Sequence, residues 1–333
     1  NAVQSAAQEG AWASYPSGHR DRLDVAVRRA VLTGVGQTTG QIGLAYAQDM
    51  GCDLMEITAH AGARPSHAAW QGKLVSLTGR TGYLSLRDIG YNTGPGFKGW
   101  NCRHDWFPFF EGLSESAYPR SEIEQMNNAC VELDGKKIPL YDATQKQREM
   151  ERRIRATKRE LAGLDEGIKV AETDELRNAL RADFNGASVR LKKQEAALKE
   201  FLQKTGLQND STRVQPRGFG RSQAQKAVAA DKKIRSFSND LNGVKTPAGV
   251  TVSGATMHFG ERAVARGLSG KDIRDALTSP LRIGKIKVDS NVLKSLELTG
   301  EKARVQINPD DGSLITVWKT SEKLKHRLKG EGK

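Results

Sequence analysis

Three cysteines in 333 residues are too few to staple a fold, and an odd number cannot all pair with one another. Cys52, Cys102 and Cys130 therefore suit a reducing compartment and exclude a disulfide scaffold. Long apolar runs are also missing. No window approaches the roughly 18 uninterrupted apolar residues that a membrane-spanning helix needs. Residues 1–10 hold neither the basic start nor the apolar run of a secretory signal, and no initiating Met, so a processed or trimmed chain is expected. What the chain does have is positive charge: 52 Lys and Arg stand against 39 Asp and Glu, a formal net charge of +13. A surplus of that size draws polyanions by counterion release, and nucleic acid or another phosphate-rich surface is the natural partner. A charged surface that serves only solubility is the plainer alternative.

The length is more than one core usually organises, so two or three domains are expected. Residues 22–35 place Leu23, Val27, Ala30, Val31 and Val35 on one helix face, which predicts a buried helix. Gly34, Gly36 and Gly40 interrupt it, and a second helical stretch runs on to Met50 and is stopped by Gly51. Residues 53–59 and 73–77 read as strands. Residues 78–120, rich in glycine and holding Trp100 and Trp106, predict an irregular lobe pinned by aromatics. From Tyr141 to Thr205 proline nearly vanishes and Lys, Arg, Glu, Gln, Ala and Leu dominate, which is helix chemistry. Two arms with thin apolar stripes follow, Met150 to Ile168 and Leu176 to Leu202, with a bend near Thr173 and Asp174. Such helices need a neighbour to pack against, which favours a structural role. Residues 206–250 read as a linker with one or two short helices.

After Val250 the pattern resets. Helices are predicted over residues 258–266, stopped by Gly267, and 269–278, stopped by Pro280. Strands are predicted over 285–288, 292–298, 303–307 and 314–319, with Asp311 and Gly312 turning the last hairpin. The fold class is thus α+β and multidomain. It comprises a loop-rich α/β lobe over residues 1–140, a long helical hairpin over 141–205, a linker over 206–250, and a small α+β domain over 251–333 with two helices and a four-stranded antiparallel sheet.

Two constellations carry chemistry. In the first, His60 and His67 precede Cys102 and His104 by some 35 residues, and the four donors suit a tetrahedral zinc ion that staples a lobe with little core. The spacing of seven across Pro65 matches no zinc-finger half-site. The other reading has these side chains hydrogen-bond the irregular backbone while Trp70, Trp100 and Trp106 fill the core.

These surroundings carry a resemblance. Ser17-Gly18-His19-Arg20, Leu23 to Arg29, Thr33-Gly34-Val35, Ala59 to His67 with Trp70-Gln71-Gly72, and Gly99-Trp100-Asn101-Cys102-Arg103-His104 follow one another as in the phage minor capsid protein 2 family, which the chain resembles over roughly residues 12–205. Tyr141, Gln145, Gln147, Arg148, Glu151, Arg152, Ile154, Arg155 and Lys158 look like the start of that family's long helical region. The resemblance implies a virion component of tailed phages in the head near the portal, made in the host cytoplasm, with portal and capsid proteins as partners. It brings no catalytic residues.

The second constellation is C-terminal. His258, Glu261, Arg262 and Arg266 lie on adjoining faces of one helix, so acid, base and cation reach one phosphodiester. Lys285, Lys287, Lys294, Lys302, Arg304, Lys319, Lys323 and Lys325 predict a basic sheet face, and Thr316, Trp318 and Thr320 alternate along the last strand, where hydroxyls or an indole bind phosphate or stack a base. Met257 to Arg262 at the front and Ile315 to Thr320 at the back are similar to the barnase, EndoU, colicin D and RelE group of metal-independent ribonucleases, including versions fused to phage head proteins. That resemblance implies an endoribonuclease toxin acting without a cofactor. His258 would be base or acid for 2′-OH attack, Arg262 would neutralise phosphate charge, and Thr320 or Thr316 would position the phosphate. Glu261 stands as the second proton carrier, and Arg266, Lys285, Lys287, Arg304, Trp318 and Lys319 as RNA contacts. An immunity protein belongs to this expectation. The alternative is a structural virion protein whose basic C-terminal domain binds packaged DNA or the portal without catalysis.

Overall fold

The computed structural model describes residues 12–288 and 293–330, so the N-terminal expectations for residues 1–10 and the first residue of the strand predicted from 292 lie outside the described residues. The described chain divides into two units, one of residues 12–151 and 198–209, the other of residues 152–197 and 210–330.

In the first unit a short hairpin, β1 (Trp12–Ser14) and β2 (Arg20–Arg22), leads into α1 (Leu23–Asp49). The predicted interruption by Gly34, Gly36 and Gly40 does not occur, because α1 is one continuous helix of 27 residues. Its later glycines admit neighbours. The Trp106 indole donates to the Gly40 carbonyl at 2.9 Å, a Cβ on Gly40 would stand 2.8 Å from Lys98 Cε, and one on Gly43 would stand 3.3 Å from the Trp106 ring. The expectation of a buried face at Leu23, Val27, Ala30, Val31 and Val35 is corrected. All five are exposed, and the buried residues of α1 are Gly40 and Ala47. Packing within the unit gathers at the C-terminal half of the helix, where the glycines let side chains reach the backbone.

Four strands follow in the order β5-β4-β3-β6, made of β3 (Leu54–Ile57), β4 (Leu74–Ser76), β5 (Leu84–Ser85) and β6 (Trp106–Phe109), with the helical turn α2 (Pro65–Ala68) after β3. All of β3 is buried, as a central strand covered on both faces should be. Its one acidic residue, Glu56, is satisfied by the Ser116 hydroxyl at 2.6 Å and the Ala117 N–H at 3.1 Å. Met55, Ile57, Trp70, Val75, Ile89, Phe97 and Trp106 fill the core, whereas Trp100, expected there on one reading, is 57% exposed. Beyond them lie α3 (Arg120–Asn127) and a hairpin of β7 (Cys130–Leu133) and β8 (Lys136–Pro139). Asp134 (φ 51°) and Gly135 (φ 76°) occupy the hairpin turn, the pair of positive φ angles a two-residue primed turn requires.

The helical hairpin consists of α4 (Leu140–Val170) and α5 (Asp174–Thr205), with Thr173 Oγ1 accepting from the Leu176 N–H at 3.2 Å where α5 begins. Among the residues of the second unit, Ile154, Leu161, Leu164, Leu180, Phe184 and Leu191 bury the thin stripes, and Arg190 pairs with Glu160 at 2.5 Å.

The rest of the second unit corrects the expectation of a linker with short helices. Residues 221–241 form α6 (Arg221–Leu241), 21 residues long, and Ala227, Ile234, Phe237 and Leu241 of it are buried. These lie seven, three and four apart, the spacing of one face, diluted by Lys, Gln and Ser that read as loop. Then come β9 (Gly254–Ala255), α7 (Met257–Ala265) and α8 (Gly270–Thr278), followed by β10 (Arg282–Ile283), β11 (Lys287–Val288), β12 (Lys294–Thr299), β13 (Ala303–Ile307), β14 (Ser313–Lys319) and the unpredicted α9 (Glu322–Gly330). Thr256 caps α7 by accepting from the Phe259 N–H at 3.1 Å, and Ser269 with Asp272 forms a capping box on α8. The sheet runs β10-β12-β13-β14-β9, antiparallel except for the last pair, with β11 also on β12. Its inner face, Leu296, Leu298, Val305, Ile307, Leu314 and Val317, packs with Phe237, Leu241, Phe259, Ile273 and Leu277 of the three helices. The α+β multidomain class follows directly from these elements.

Candidate metal cluster and basic sheet face

Each of the four donors is set by a different piece of local structure. His60 follows β3, His67 sits in α2 where Pro65 fixes the first helical position, and Cys102 and His104 lie on the loop that enters β6. The structure brings three of them, His67, Cys102 and His104, into one group and places the fourth, His60, against His104. One ligand atom from each of His67, Cys102 and His104 lies within 4.8 Å of the other two. Cys102 Sγ stands 3.7 Å from His104 Nδ1, and the rings of His60 and His104 stack at 4.5 Å. Trp70 closes the cluster, with its ring 4.4 Å from that of His67 and 4.8 Å from that of His104. Burial, ahead of the neighbouring His60 and His67 charges, pushes the His104 pKa down to about 3. Burial likewise lowers His67 and raises the Cys102 thiol.

Three supporting groups went unread in the sequence as partners of these histidines. They are the Pro95 carbonyl, 2.8 Å from His67 Nε2; Gln71 Oε1, 3.0 Å from His104 Nε2; and Asn127 Oδ1, which accepts from Gln71 Nε2 at 2.7 Å. No spacing rule links positions 71 and 127, so no pattern along the chain points to that contact.

At the C-terminal unit the pairing of β13 with β14 sets Arg304 opposite Trp318 and Gln306 opposite Thr316, all on the sheet face away from the helices. Lys287, paired with Ser295, shares that face two strands away. The guanidinium of Arg304 lies 5.6 Å from the Trp318 ring centroid and that of Arg266, from the end of α7, lies 5.5 Å from it. Arg266 also donates to the Val317 carbonyl, and burial, ahead of the nearby charge of Arg262, lowers its pKa. Arg304 donates to Glu297 at 2.7 Å. His258, Arg262 and Arg266 are four apart and form one stripe of α7, with His258 and Arg262 exposed.

Other predicted residues are placed elsewhere. Thr320 is buried and its hydroxyl donates to the Gly300 carbonyl at 2.8 Å. The Glu261 carboxylate lies toward Gly186, 4.0 Å from where a Cβ there would stand. Lys319 faces the side opposite Trp318, Lys285 lies outside the strands, Lys294 pairs with Asp310 at 3.0 Å and Lys302 with Asp272 at 3.2 Å.

With the two sites placed, comparison with known proteins separates them. A family model described as phage minor capsid protein 2 matches residues 1–203. The chain belongs to the phage minor capsid protein 2 family. This minor capsid protein is also similar to a structural protein of Lactococcus phage LL-H, at 27% identity over 124 residues that make up 33% of each chain, so the match spans about a third of that relative's length. No solved structure matches. The family match contains the whole His/Cys cluster and stops short of the basic sheet face, and the likeness to the ribonuclease group has no counterpart among these matches.

Proposed function

We propose that this minor capsid protein is a head component of the virion, near the portal, whose C-terminal unit binds a nucleic-acid strand across its outer sheet face. The observation that carries the reading is the Trp318 indole with the guanidiniums of Arg266 and Arg304 over it. An aromatic ring with cations packed over it offers charge to a strand's phosphates, and a base stacks on the ring by displacing a guanidinium, a combination tolerant of sequence. Portal and capsid proteins are the protein partners under this reading, and packaged DNA or RNA the ligand. Assembly takes place in the host cytoplasm.

A second reading, cleavage of RNA by a toxin-like domain with an immunity partner, is favoured by the stripe of His258, Arg262 and Arg266 that leads to Trp318. An imidazole and two guanidiniums beside a stacked base supply a proton carrier and charge stabilisation for 2′-OH attack. The second proton carrier is what this arrangement lacks, since Glu261 points toward Gly186 and Thr320 is held by Gly300. Binding is therefore the better-supported function. The full-length chain, incubated with labelled RNA and single-stranded DNA in EDTA beside His258→Ala, tests both. Retention of intact oligonucleotide by both proteins is the expected result. RNA cleavage that disappears in His258→Ala would establish the second reading instead, and no binding at low salt would overturn the first.

A further inference from the structure

We propose that His67, Cys102 and His104, closed by His60, form a structural zinc site that staples the irregular lobe of the first unit. The hydrogen bonds around the rings decide which atoms face inward. A carbonyl oxygen only accepts, so His67 Nε2, 2.8 Å from the Pro95 oxygen, carries that ring's proton, and Nδ1 keeps its lone pair. The Gln71 amide is fixed in orientation because its Oε1 accepts from the His60 N–H at 3.0 Å while its Nε2 donates to Asn127. His104 Nε2 must then donate to Gln71 Oε1, which leaves the His104 Nδ1 lone pair directed at Cys102 Sγ. His60 Nδ1 lies 3.1 Å from the Ala61 carbonyl, so its proton sits there, and its Nε2 is buried without a partner among the described residues.

Three imidazoles, each with one nitrogen tied to an oxygen and the other unprotonated, are oriented as metal-ligating histidines are. A purely hydrogen-bonding role would not leave a buried ring nitrogen unsatisfied, which costs on the order of 1–3 kcal/mol. The Cys102 to His104 separation of 3.7 Å is close to the ~3.5 Å edge that zinc–sulfur and zinc–nitrogen bonds subtend at a tetrahedral angle. His67, Cys102 and His104 supply three donors, and the buried, unpartnered Nε2 of His60 is the fourth donor the proposal assigns; with it the set would be closed to water, as in a structural rather than a hydrolytic site. It would join the loop after β3, the turn α2 and the loop before β6, segments held otherwise by turns and a few aromatics.

The full-length chain, purified without added metal, is expected to hold one zinc per molecule by elemental analysis. After removal of that zinc, titration with cobalt(II) is expected to saturate at one equivalent, with intense visible bands of tetrahedral geometry and a thiolate charge-transfer band. Cys102→Ser should lose the charge-transfer band, Cys130→Ser should keep it, and His60→Ala should bind cobalt at least tenfold more weakly. Because the wild-type titration needs no variant to fold, the proposal stays testable if Cys102→Ser aggregates. Cobalt that never saturates at one equivalent, a spectrum without thiolate ligation, or an unchanged spectrum in Cys102→Ser would each overturn it.

Discussion

Replacing Trp318 with Ala tests the outer sheet face where it is most specific. Trp318 is half-buried and stands on the face opposite Val305 and Val317, so its removal leaves the inner core of the unit untouched. Its two cation–π contacts contribute about 0.5–1 kcal/mol each at such a site, so the fold should lose about 1–2 kcal/mol and remain folded. Binding should suffer separately. A base stacked on an aromatic ring is worth about 1–3 kcal/mol, which corresponds to roughly 5- to 150-fold in dissociation constant. Arg266 and Arg304 would also lose the surface that holds their guanidiniums in place, which moves the expected effect toward the upper half of that range. Fluorescence anisotropy with a short single-stranded oligonucleotide at fixed salt measures it, with thermal denaturation run in parallel, and Trp318→Phe should recover part of the affinity. If Trp318→Ala binds within twofold of the parent while remaining folded, the indole is a packing residue and the stacking platform does not exist.

Four further expectations concern other parts of the molecule. Arg262→Gln should lower the slope of log affinity against log salt by about one, because one exposed cation leaves the strand's path. Gly260→Ala should destabilise by about 1–3 kcal/mol in urea unfolding, since its Cβ would stand 2.6 Å from the Ile234 carbonyl oxygen, and that clash outweighs the ~1 kcal/mol helix-propensity gain. Asp105→Ala should cost about 3 kcal/mol, because the Lys98 side chain, 2% exposed with its Nζ 2.6 Å from Asp105, would keep the Thr39 hydroxyl at 3.3 Å but lose its counter-charge; Lys98→Met in the same background should recover much of the loss. Asp272 is held below its ordinary value of 3.8, first by the Ser269 hydroxyl. A depressed carboxylate stabilises above its unfolded pKa and loses that contribution as pH falls through the folded one, so the stability advantage over Asp272→Asn should be full near pH 6 and shrink below about pH 4.

The elements legible in the sequence were those whose signal is local. The arms of the hairpin, the helix stopped at Gly267, the helix from Ser269 stopped by Pro280 and strand β13 all announce themselves within a few residues. The hairpin β7–β8 carried its signal too, in Asp134-Gly135 between Leu133 and Lys136, but it sat between a loop-rich stretch and a charged helix. His60, His67, Cys102 and His104 could be singled out because two chemically distinctive side-chain types, imidazole and thiol, flank a glycine-rich loop. Their tautomers could not, since those depend on Gln71, Asn127 and the Pro95 carbonyl, which only the folded chain brings near.

Helix α1 shows where pattern reading reaches its limit. The spacing of Leu23, Val27, Val31 and Val35 reports that one face of the helix is apolar, and that much is a property of the chain. Burial is a property of what the chain meets. Within the first unit the helix meets Lys98 and Trp106, and it does so through Gly40 and Gly43, where the absence of a side chain allows the approach. Of the residues that look like breakers, Gly40 is part of the contact surface while a Cβ on Gly34 or Gly36 would meet nothing within 4 Å, and the residues that look like core are exposed. A glycine inside a helical pattern costs about 1 kcal/mol relative to Ala, so several retained in one helix point to a close approach at that spot. Read that way, Gly40 and Gly43 locate the buried contact of α1 better than its valines do.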